Sequence, residues 1–232
     1  MTRPHWLDPV VAALDEITWR DLTVFGVPSG ATPRRSAVLM LFGEGASGPD
    51  LLLTERAHTM RSHPGQVSFP GGRLDPGETA VEAALREAEE EAGVAPDGVD
   101  VLGELPELYL PPSDNAVTPI VAWWEAPHDV EPASVDEVHA VYRVPISELR
   151  DPAHRIIVRS PRQGWVTPGF LIGPDKDVIL WGFTAGVVQR FLGFLGWIDD
   201  MPDAPEVELP AYMLGGRERA GGRDVKEWLE DS

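Results

Sequence analysis

The chain has 232 residues, of which 43% are hydrophobic, so it is long enough to bury one sizeable core. Its 38 acidic and 19 basic residues give a formal charge of −19, which disfavours binding to nucleic-acid backbones and to anionic membranes. The lack of cysteine excludes disulfides, thiolate metal sites and cysteine nucleophiles. Because the first residues contain no continuous apolar signal region, we expect a cytoplasmic protein.

The N-terminal part of the chain predicts a helix, a linker and two strands. Asp8 is placed as a helix cap, and residues 1–34 are predicted to form a helix followed by a linker rich in Pro and Gly. Two apolar runs of strand length follow, joined by a glycine-containing hairpin connection, at residues 36–42 and 51–54.

Residues 71–94 combine a loop with a helix that is rich in glutamate. Gly71 and Gly72 begin the loop, because glycine tolerates the backbone conformations of tight turns. Thr79 or the loop residues beside it are placed as the cap of a helix that ends before Gly93. Helical periodicity predicts that this helix buries one apolar face, made of Val81, Ala84, Leu85, Ala88 and Ala92.

Three of the glutamates fall beside that apolar face. At about 100° per residue, Glu87, Glu90 and Glu91 lie within an arc of roughly 100°, while the other acids lie elsewhere. Like charges at this spacing repel one another. A hard divalent cation bound through oxygen ligands, such as Mg²⁺ or Mn²⁺, would compensate. The alternative is a solvated acidic helix face.

The spacing of glycine, arginine and glutamate in this segment resembles the Nudix box. The matching positions are Gly72, Glu78, Arg86, Glu87, Ala88, Glu90, Glu91, Gly93 and Val94. Ala88 stands where the pattern usually has a larger aliphatic residue. The resemblance implies an α/β fold, an α/β/α sandwich with a mixed central β-sheet, which we assign to residues 35–198.

The same resemblance implies roles for individual residues. Metal binding and base catalysis fall to three carboxylates: Glu87, Glu90 and Glu91. The carbonyl of Gly71 adds a metal ligand, and Arg86 joins helix and loop through an acid such as Glu78. The implied cofactor is Mg²⁺ or Mn²⁺, and the implied activity is hydrolysis of a diphosphate bond.

The segment directly before the box supplies positive charge where a phosphate would need it. Candidate substrate-binding residues are Arg56, Arg61, His63 and Gln66, although ordinary polar loop residues are the alternative. Residues 52–72 resemble the signature of coenzyme A pyrophosphatases within the Nudix family, with Ala57 where that subgroup usually has Ser. The resemblance implies hydrolysis of coenzyme A and its thioesters to 3′,5′-ADP and 4′-phosphopantetheine or its acyl form.

Strands are predicted after the box, and an acidic loop follows them. Trp123 and Trp124 end the strand at 117–124, as core residues or as a stacking surface for adenine. The resemblance implies a further metal or base carboxylate from a loop downstream of the box, for which Glu137 is the best candidate, with Glu125 and Glu131 as competitors. Further strands are expected at residues 99–102, 105–110, 155–158, 170–172 and 177–180, and short and long helices at 146–150 and 184–195.

Two segments near the C-terminus raise separate questions. Residues 178–198 are the most apolar stretch, but Gln189 and Arg190 interrupt it, so a buried helix is favoured over a membrane span. Residues 199–232 are rich in Pro, Gly and charge and are predicted to form a flexible tail.

Two other functions stay open at this point. One is a Nudix hydrolase of another nucleoside diphosphate derivative, such as ADP-ribose or NADH, or of a nucleoside triphosphate. The other is a Nudix module that senses a nucleotide without cleaving it, which the complete set of three glutamates argues against. The expected partner is a small-molecule substrate, without nucleic acid or membrane, and a homodimer is left open.

Overall fold

The computed structural model describes residues 3–60, 63–159, 166–201, 203–209 and 213. Its α-helices are α1 Asp8–Glu16, α2 Trp19–Leu22, α3 Ala80–Ala92, α4 Ile146–Arg150 and α5 Gly182–Phe194. Its strands are β1 Arg34–Gly45, β2 Gly48–Arg56, β3 Val67–Ser68, β4 Gly71–Arg73, β5 Val99–Glu104, β6 Leu108–Leu110, β7 Asn115–Trp124, β8 Val138–Pro145, β9 Arg155–Arg159, β10 Val166–Ile172, β11 Val178–Leu180 and β12 Glu206–Glu208.

The larger sheet is organised around β1. This strand runs parallel to β7 and antiparallel to β2 and β4. β2 also pairs with β3 and β8, and β7 also pairs with β5 and β6. The sheet is therefore mixed, as the sequence predicted.

Side chains of β1 alternate between two hydrophobic layers because successive strand residues point to opposite faces. Leu39 and Leu41 pack in the cluster that contains the buried alanines of α3. Met40 and Phe42 pack in the cluster that contains α1 and α5, where Phe42 and Phe191 lie 6.3 Å apart between ring centroids. Burial on both faces explains the continuous apolar run, and it confirms the predicted α/β/α sandwich.

A smaller sheet has the strand order β11, β10, β9, β12. Its last strand lies in the segment predicted as a flexible tail, and it pairs parallel with β9. Val207 and Leu209 are buried in a cluster with Ile156 and Val158. The prediction was wrong for this part of the tail, because two apolar residues among acids were enough to join the sheet edge. Residues 202, 210–212 and 214–232 of that segment lie outside the described residues.

Three strands of the larger sheet were not predicted, and the short β3 is one of them. β4 lies where a loop was expected, because Gly71 and Gly72 pair with Val38 and Ala37 despite their low strand propensity. β8 lies where no strand was predicted. The sequence prediction grouped α1 with a linker. In the structure α1 packs into the core through Val10, next to Leu7, which directly precedes the helix.

The tryptophans at the end of β7 and the apolar stretch at residues 178–198 both form part of the protein core. Trp123 and Trp124 are both buried, so the core assignment is confirmed over adenine stacking. Residues 178–198 form β11 and α5, whose buried face includes Val187 and Phe191. Across the described ranges, no helix is both long and apolar enough to cross a membrane. The cytoplasmic location stays a prediction.

Candidate active site

The helix α3 is held at both ends in the way the sequence predicted. Thr79 Oγ1 accepts a hydrogen bond from Glu82 N at 3.2 Å, and Glu82 Oε2 accepts one from Thr79 N at 2.8 Å. Gly93 ends the helix with φ of 67°, a left-handed conformation that glycine adopts without strain. These caps fix where the glutamates of the last two turns lie.

The alanines on α3 let the helix lie close to the sheet. Ala84, Ala88 and Ala92 are fully buried, as predicted, and Ala80 and Ala83 join them. Val81 and Leu85 are only partly buried against the same cluster. The small side chain of Ala88 is therefore suited to close packing of helix against sheet.

Gly71 and Gly72 of β4 lie so close to other groups that a side chain would not fit. A Cβ atom on Gly71 would overlap the carbonyl oxygen of Ala37 and lie 2.7 Å from Val38 Cα. A Cβ atom on Gly72 would overlap the carboxylate of Glu87, whose Oε2 would be 2.7 Å away. The two glycines thus give the carboxylates of α3 access to the backbone of β4.

Glu91 is the most buried of the three predicted carboxylates, with 5% of its surface exposed. Its Oε2 accepts a hydrogen bond from Gly71 N at 3.2 Å. The pKa of Glu91 is raised to about 7, mainly by burial; the charges of Glu87 and Glu137 add to the shift, and the Gly71 amide and Arg56 oppose it. A carboxyl group that titrates near neutral pH is suited to proton transfer.

The raised pKa of Glu91 predicts how the metal-free protein responds to pH. A carboxyl whose pKa is about 7 when folded and near 4.5 when unfolded binds more proton in the folded state between these values. The free energy of unfolding should therefore fall as pH rises from about 4.5 to about 7, by on the order of 3 kcal/mol at most.

Urea unfolding of the protein in a chelator, from pH 4.5 to 8, measures this dependence. The variant Glu91→Gln lacks the titrating group, so its curve should be flatter over the same range. Glu89→Gln, on the exposed side of α3, is the matched control and should follow the unmodified protein. Parallel curves for Glu91→Gln and the unmodified protein would contradict the assignment.

Glu87 lies beside Glu91 and is also largely buried, with 16% of its side chain exposed. Burial raises the pKa of Glu87, and the charges of Glu90 and Glu137 add to this effect, whereas the hydrogen bond from Arg86 lowers it. The charge of Glu87 in turn raises the pKa of Glu91, so the two carboxylates concentrate negative charge that Arg86 compensates only on the Glu87 side. A divalent cation would relieve that repulsion.

Arg86 connects the helix to the preceding loop, as predicted. Its Nε and Nη2 donate to the two carboxylate oxygens of Glu78 at 2.8 and 3.1 Å, and Nη2 also donates to Arg73 O at 3.1 Å. Its Nη1 donates to Glu87 Oε1 at 3.0 Å and to Glu90 Oε2 at 3.2 Å. The guanidinium therefore lowers the pKa of Glu78 and orients Glu87.

Glu90 occupies a different environment from Glu87 and Glu91. Its side chain is 58% exposed, and its carboxylate contacts Arg86 at the rim of the site. The structure thus brings two of the three predicted carboxylates together under β4 and leaves the third at the edge. Periodicity alone placed all three in one arc and did not distinguish them.

The upstream segment folds against this site through the pairing of β2 with β3. The charge of Arg56, at the end of β2, lowers the pKa of Glu91, so the guanidinium lies within electrostatic reach of that carboxylate. Arg56 Nη2 lies 3.0 Å from Met60 Sδ, and its Nε is buried without a hydrogen-bond partner among the described residues.

The other predicted substrate residues are more scattered. His63 is exposed, with a positive φ of 55°. Gln66 lies beside the start of α5, since its Nε2 would be 3.1 Å from a Cβ atom on Gly182. Arg61 lies outside the described residues.

Glu137 is the downstream acid that the structure places near the centre. Its charge raises the pKa of both Glu87 and Glu91, and its carbonyl accepts a hydrogen bond from Ala57 N at 2.7 Å. The acidic loop before it also contacts α3, because Ala133 N donates to Glu91 O at 3.1 Å. The sequence did not predict that backbone contact or the clearance that Gly72 provides.

The donor set of this site is suited to a hard divalent cation. Glu87, Glu91 and Glu137 offer carboxylate oxygens, which Mg²⁺ and Mn²⁺ prefer over nitrogen or sulfur. The mutual repulsion of these groups provides the electrostatic reason for binding one. The residues therefore fit the metal that the sequence pattern implied.

Comparison with known proteins identifies the family. A family model described as "NUDIX domain" matches residues 32–163, more than half of the chain. The uncharacterized Nudix hydrolase NudL of Enterobacter sp. (strain 638) is 37% identical over 163 residues, a match covering 68% of this chain and 81% of that protein. The chain belongs to the Nudix family.

Other similar proteins agree with this class. Nudix hydrolase 3 of Caenorhabditis elegans is 43% identical over 122 residues, covering 52% of this chain but only 51% of that protein. The structure of the Nudix hydrolase RenU from M. smegmatis has a TM-score of 0.51 and 20% identity, covering 73% of this chain and 89% of that one. RenU supports the fold alone. The family and its named hydrolases define this chain as a pyrophosphohydrolase, and Nudix hydrolases generally use divalent metals.

Proposed function

We propose that the protein hydrolyses the diphosphate bond of coenzyme A and its derivatives, giving 3′,5′-ADP and 4′-phosphopantetheine or its acyl form. The observation that carries the proposal is the position of Arg56, which belongs to the upstream segment and lies within electrostatic reach of Glu91. The upstream segment, which resembles that of coenzyme A pyrophosphatases, thus supports the proposal by lying near the carboxylates of the Nudix box.

The residues of the site divide into three roles in this proposal. Glu87, Glu90, Glu91, Glu137 and the Gly71 carbonyl hold Mg²⁺ or Mn²⁺, which when bound neutralises diphosphate charge and lowers the pKa of water. Arg56, Arg61, His63 and Gln66 bind the substrate. Arg86 keeps Glu87 in position through its hydrogen bond of 3.0 Å.

A proton must leave the attacking water, and Glu91 is the carboxylate best placed to accept it. In the protein without metal its pKa is raised to about 7, mainly by burial, so this carboxyl can exchange a proton near neutral pH. The charge of Glu137 raises the pKa of Glu91, so Glu137 lies near it and is the second candidate for the base. The reaction needs no covalent intermediate with the enzyme.

A substrate panel tests the proposal directly. Coenzyme A, acyl-coenzyme A, ADP-ribose, NADH and a nucleoside triphosphate are each incubated with Mg²⁺ or Mn²⁺, and products are identified by mass in ¹⁸O-labelled water. Preferred cleavage of coenzyme A or its thioesters to 3′,5′-ADP would support the proposal. If another nucleotide were cleaved preferentially, that nucleotide would take the place of coenzyme A as the proposed substrate. Binding of a nucleotide in calorimetry without its cleavage would indicate a sensor.

The substitution Arg56→Gln should weaken substrate binding more than it slows turnover. Loss of one charged hydrogen bond to phosphate costs about 1.5–3 kcal/mol, so we expect KM to rise about 10- to 100-fold. Arg35→Gln is a matched control, since Arg35 pairs with Glu107 on an exposed surface. Steady-state kinetics of both variants provide the measurement. Equal KM values for Arg56→Gln and Arg35→Gln would show that Arg56 does not bind the substrate.

A further inference from the structure

A second group of side chains of the types that bind metals lies on the other side of the larger sheet. It consists of Glu55, His58 and His139, here called the EHH cluster, and one ligand atom from each lies within 4.8 Å of the others. Glu55 shares the alternation of Leu51 and Leu53, which belong to the core cluster of α1 and α5. The EHH cluster is therefore separate from the carboxylates of α3.

Each member of the EHH cluster is positioned by a different local feature. Glu55 is on β2, and the turn that follows, closed by a 3.1 Å hydrogen bond from Met60 N to Ala57 O, returns the chain over it. This turn brings His58 Nε2 to 2.7 Å from Glu55 Oε1. Without the turn, a residue three positions beyond the glutamate would point away from it.

A β-bulge directs His139 toward the same point. In the pairing of β2 with β8, Glu55 lies opposite Ala140 and Arg56 lies opposite Val138, so the register passes over His139. A bulge of this kind re-aims a side chain that regular alternation would send to the opposite face. The ring centroids of His139 and His58 are consequently 4.4 Å apart.

A hydrogen bond from Tyr142 orients the carboxylate of Glu55. Tyr142 Oη donates to Glu55 Oε2 at 2.6 Å, so Oε1 is the oxygen that faces His58. Glu55 is only 1% exposed, whereas His139 is exposed to solvent. An outer hydrogen bond that fixes a carboxylate, with an exposed imidazole at the entrance, is the arrangement of a protein metal ligand set.

We propose that the EHH cluster binds Zn²⁺ or a similar late first-row divalent ion. Two imidazole nitrogens and one carboxylate oxygen suit Zn²⁺, whereas Mg²⁺ prefers oxygen alone. Binding requires that the proton between His58 Nε2 and Glu55 Oε1 leave, either to Nδ1 of the same ring or to solvent, because the metal takes the Nε2 lone pair. The ion would connect the end of β2, where Arg56 lies, to the start of β8, which directly follows Glu137.

The test is a titration with Zn²⁺, and with Co²⁺ as a visible probe, in excess Mg²⁺. The double variant Glu87→Gln, Glu91→Gln removes the oxygen site and serves as the background. We expect one equivalent of Co²⁺ with ligand-field absorption to bind this background. His139→Ala should weaken binding at least about tenfold, and Tyr142→Phe by about 10- to 100-fold.

His128→Ala is the matched control, since that ring packs against Trp124 with centroids 5.3 Å apart. It should leave Zn²⁺ and Co²⁺ binding unchanged. Because His139 is exposed, its variant should fold, which unfolding in a chelator verifies. Absence of Zn²⁺ and Co²⁺ binding in the background variant, or equal binding by His139→Ala and His128→Ala, would overturn the proposal.

Discussion

Replacing Glu91 by Gln should lower kcat by about 10²- to 10⁴-fold while the protein stays folded. Glutamine keeps the size of the side chain and retains an oxygen that can accept the Gly71 amide. It cannot take a proton from water, and it contributes less negative charge to a metal. The measurement is product formation from the preferred substrate at saturating Mg²⁺, with folding checked by circular dichroism.

Glu89→Gln provides the matched control for this experiment. Glu89 is exposed on the other side of α3, so its removal changes the net charge equally without touching the site. Its kcat should stay within about twofold of the unmodified protein, as is usual for surface changes. Full activity of Glu91→Gln with Mg²⁺ would remove Glu91 from the chemistry.

The substitution Gly72→Ala should lower kcat/KM by about 100-fold with little effect on the fold. The added methyl group would occupy the space of the Glu87 carboxylate, and this flexible end of the side chain must move away. A displacement of about 1 Å in a catalytic group is enough for a loss of this size. Hydrolysis kinetics and the free energy of unfolding are measured on the same preparation.

Gly186→Ala is the matched control for the glycine substitution. Gly186 lies within α5, and a Cβ atom there would meet nothing within 4 Å. Alanine at this position should raise stability by up to about 1 kcal/mol and leave kcat/KM unchanged. If Gly72→Ala also kept its kcat/KM, then the position of Glu87 would not matter for turnover.

The helix at the centre of the site was predictable because its signals are local. Thr79 and Gly93 act within one turn of the chain, so the limits of α3 follow from the sequence. The burial of each glutamate could not be predicted in this way, because it depends on where β4 lies above the helix. Periodicity could place Glu90 and Glu91 side by side but could not show that only Glu91 is buried.

The unpredicted strands share one cause, which is that pairing partners far away in sequence override local preference. Glycine is unfavourable in strands, yet β4 forms because β1 offers it hydrogen bonds. The short β12 forms because β9 presents an edge and Val207 can be buried there. A register shift such as the one opposite His139 has no local signature, so the EHH cluster was missed.

The parallel pairing of β1 with β7 carries a consequence for how the molecule is made. Ser36 Oγ donates to Asn115 Oδ1 at 3.1 Å, and these residues are 79 positions apart. Closing so long a segment costs entropy before any contact is gained, so assembly of the central strands should be the slow step of folding. During synthesis on the ribosome, α3 can form its turns early. Its acidic groups would stay hydrated until β1 holds β4 over the helix.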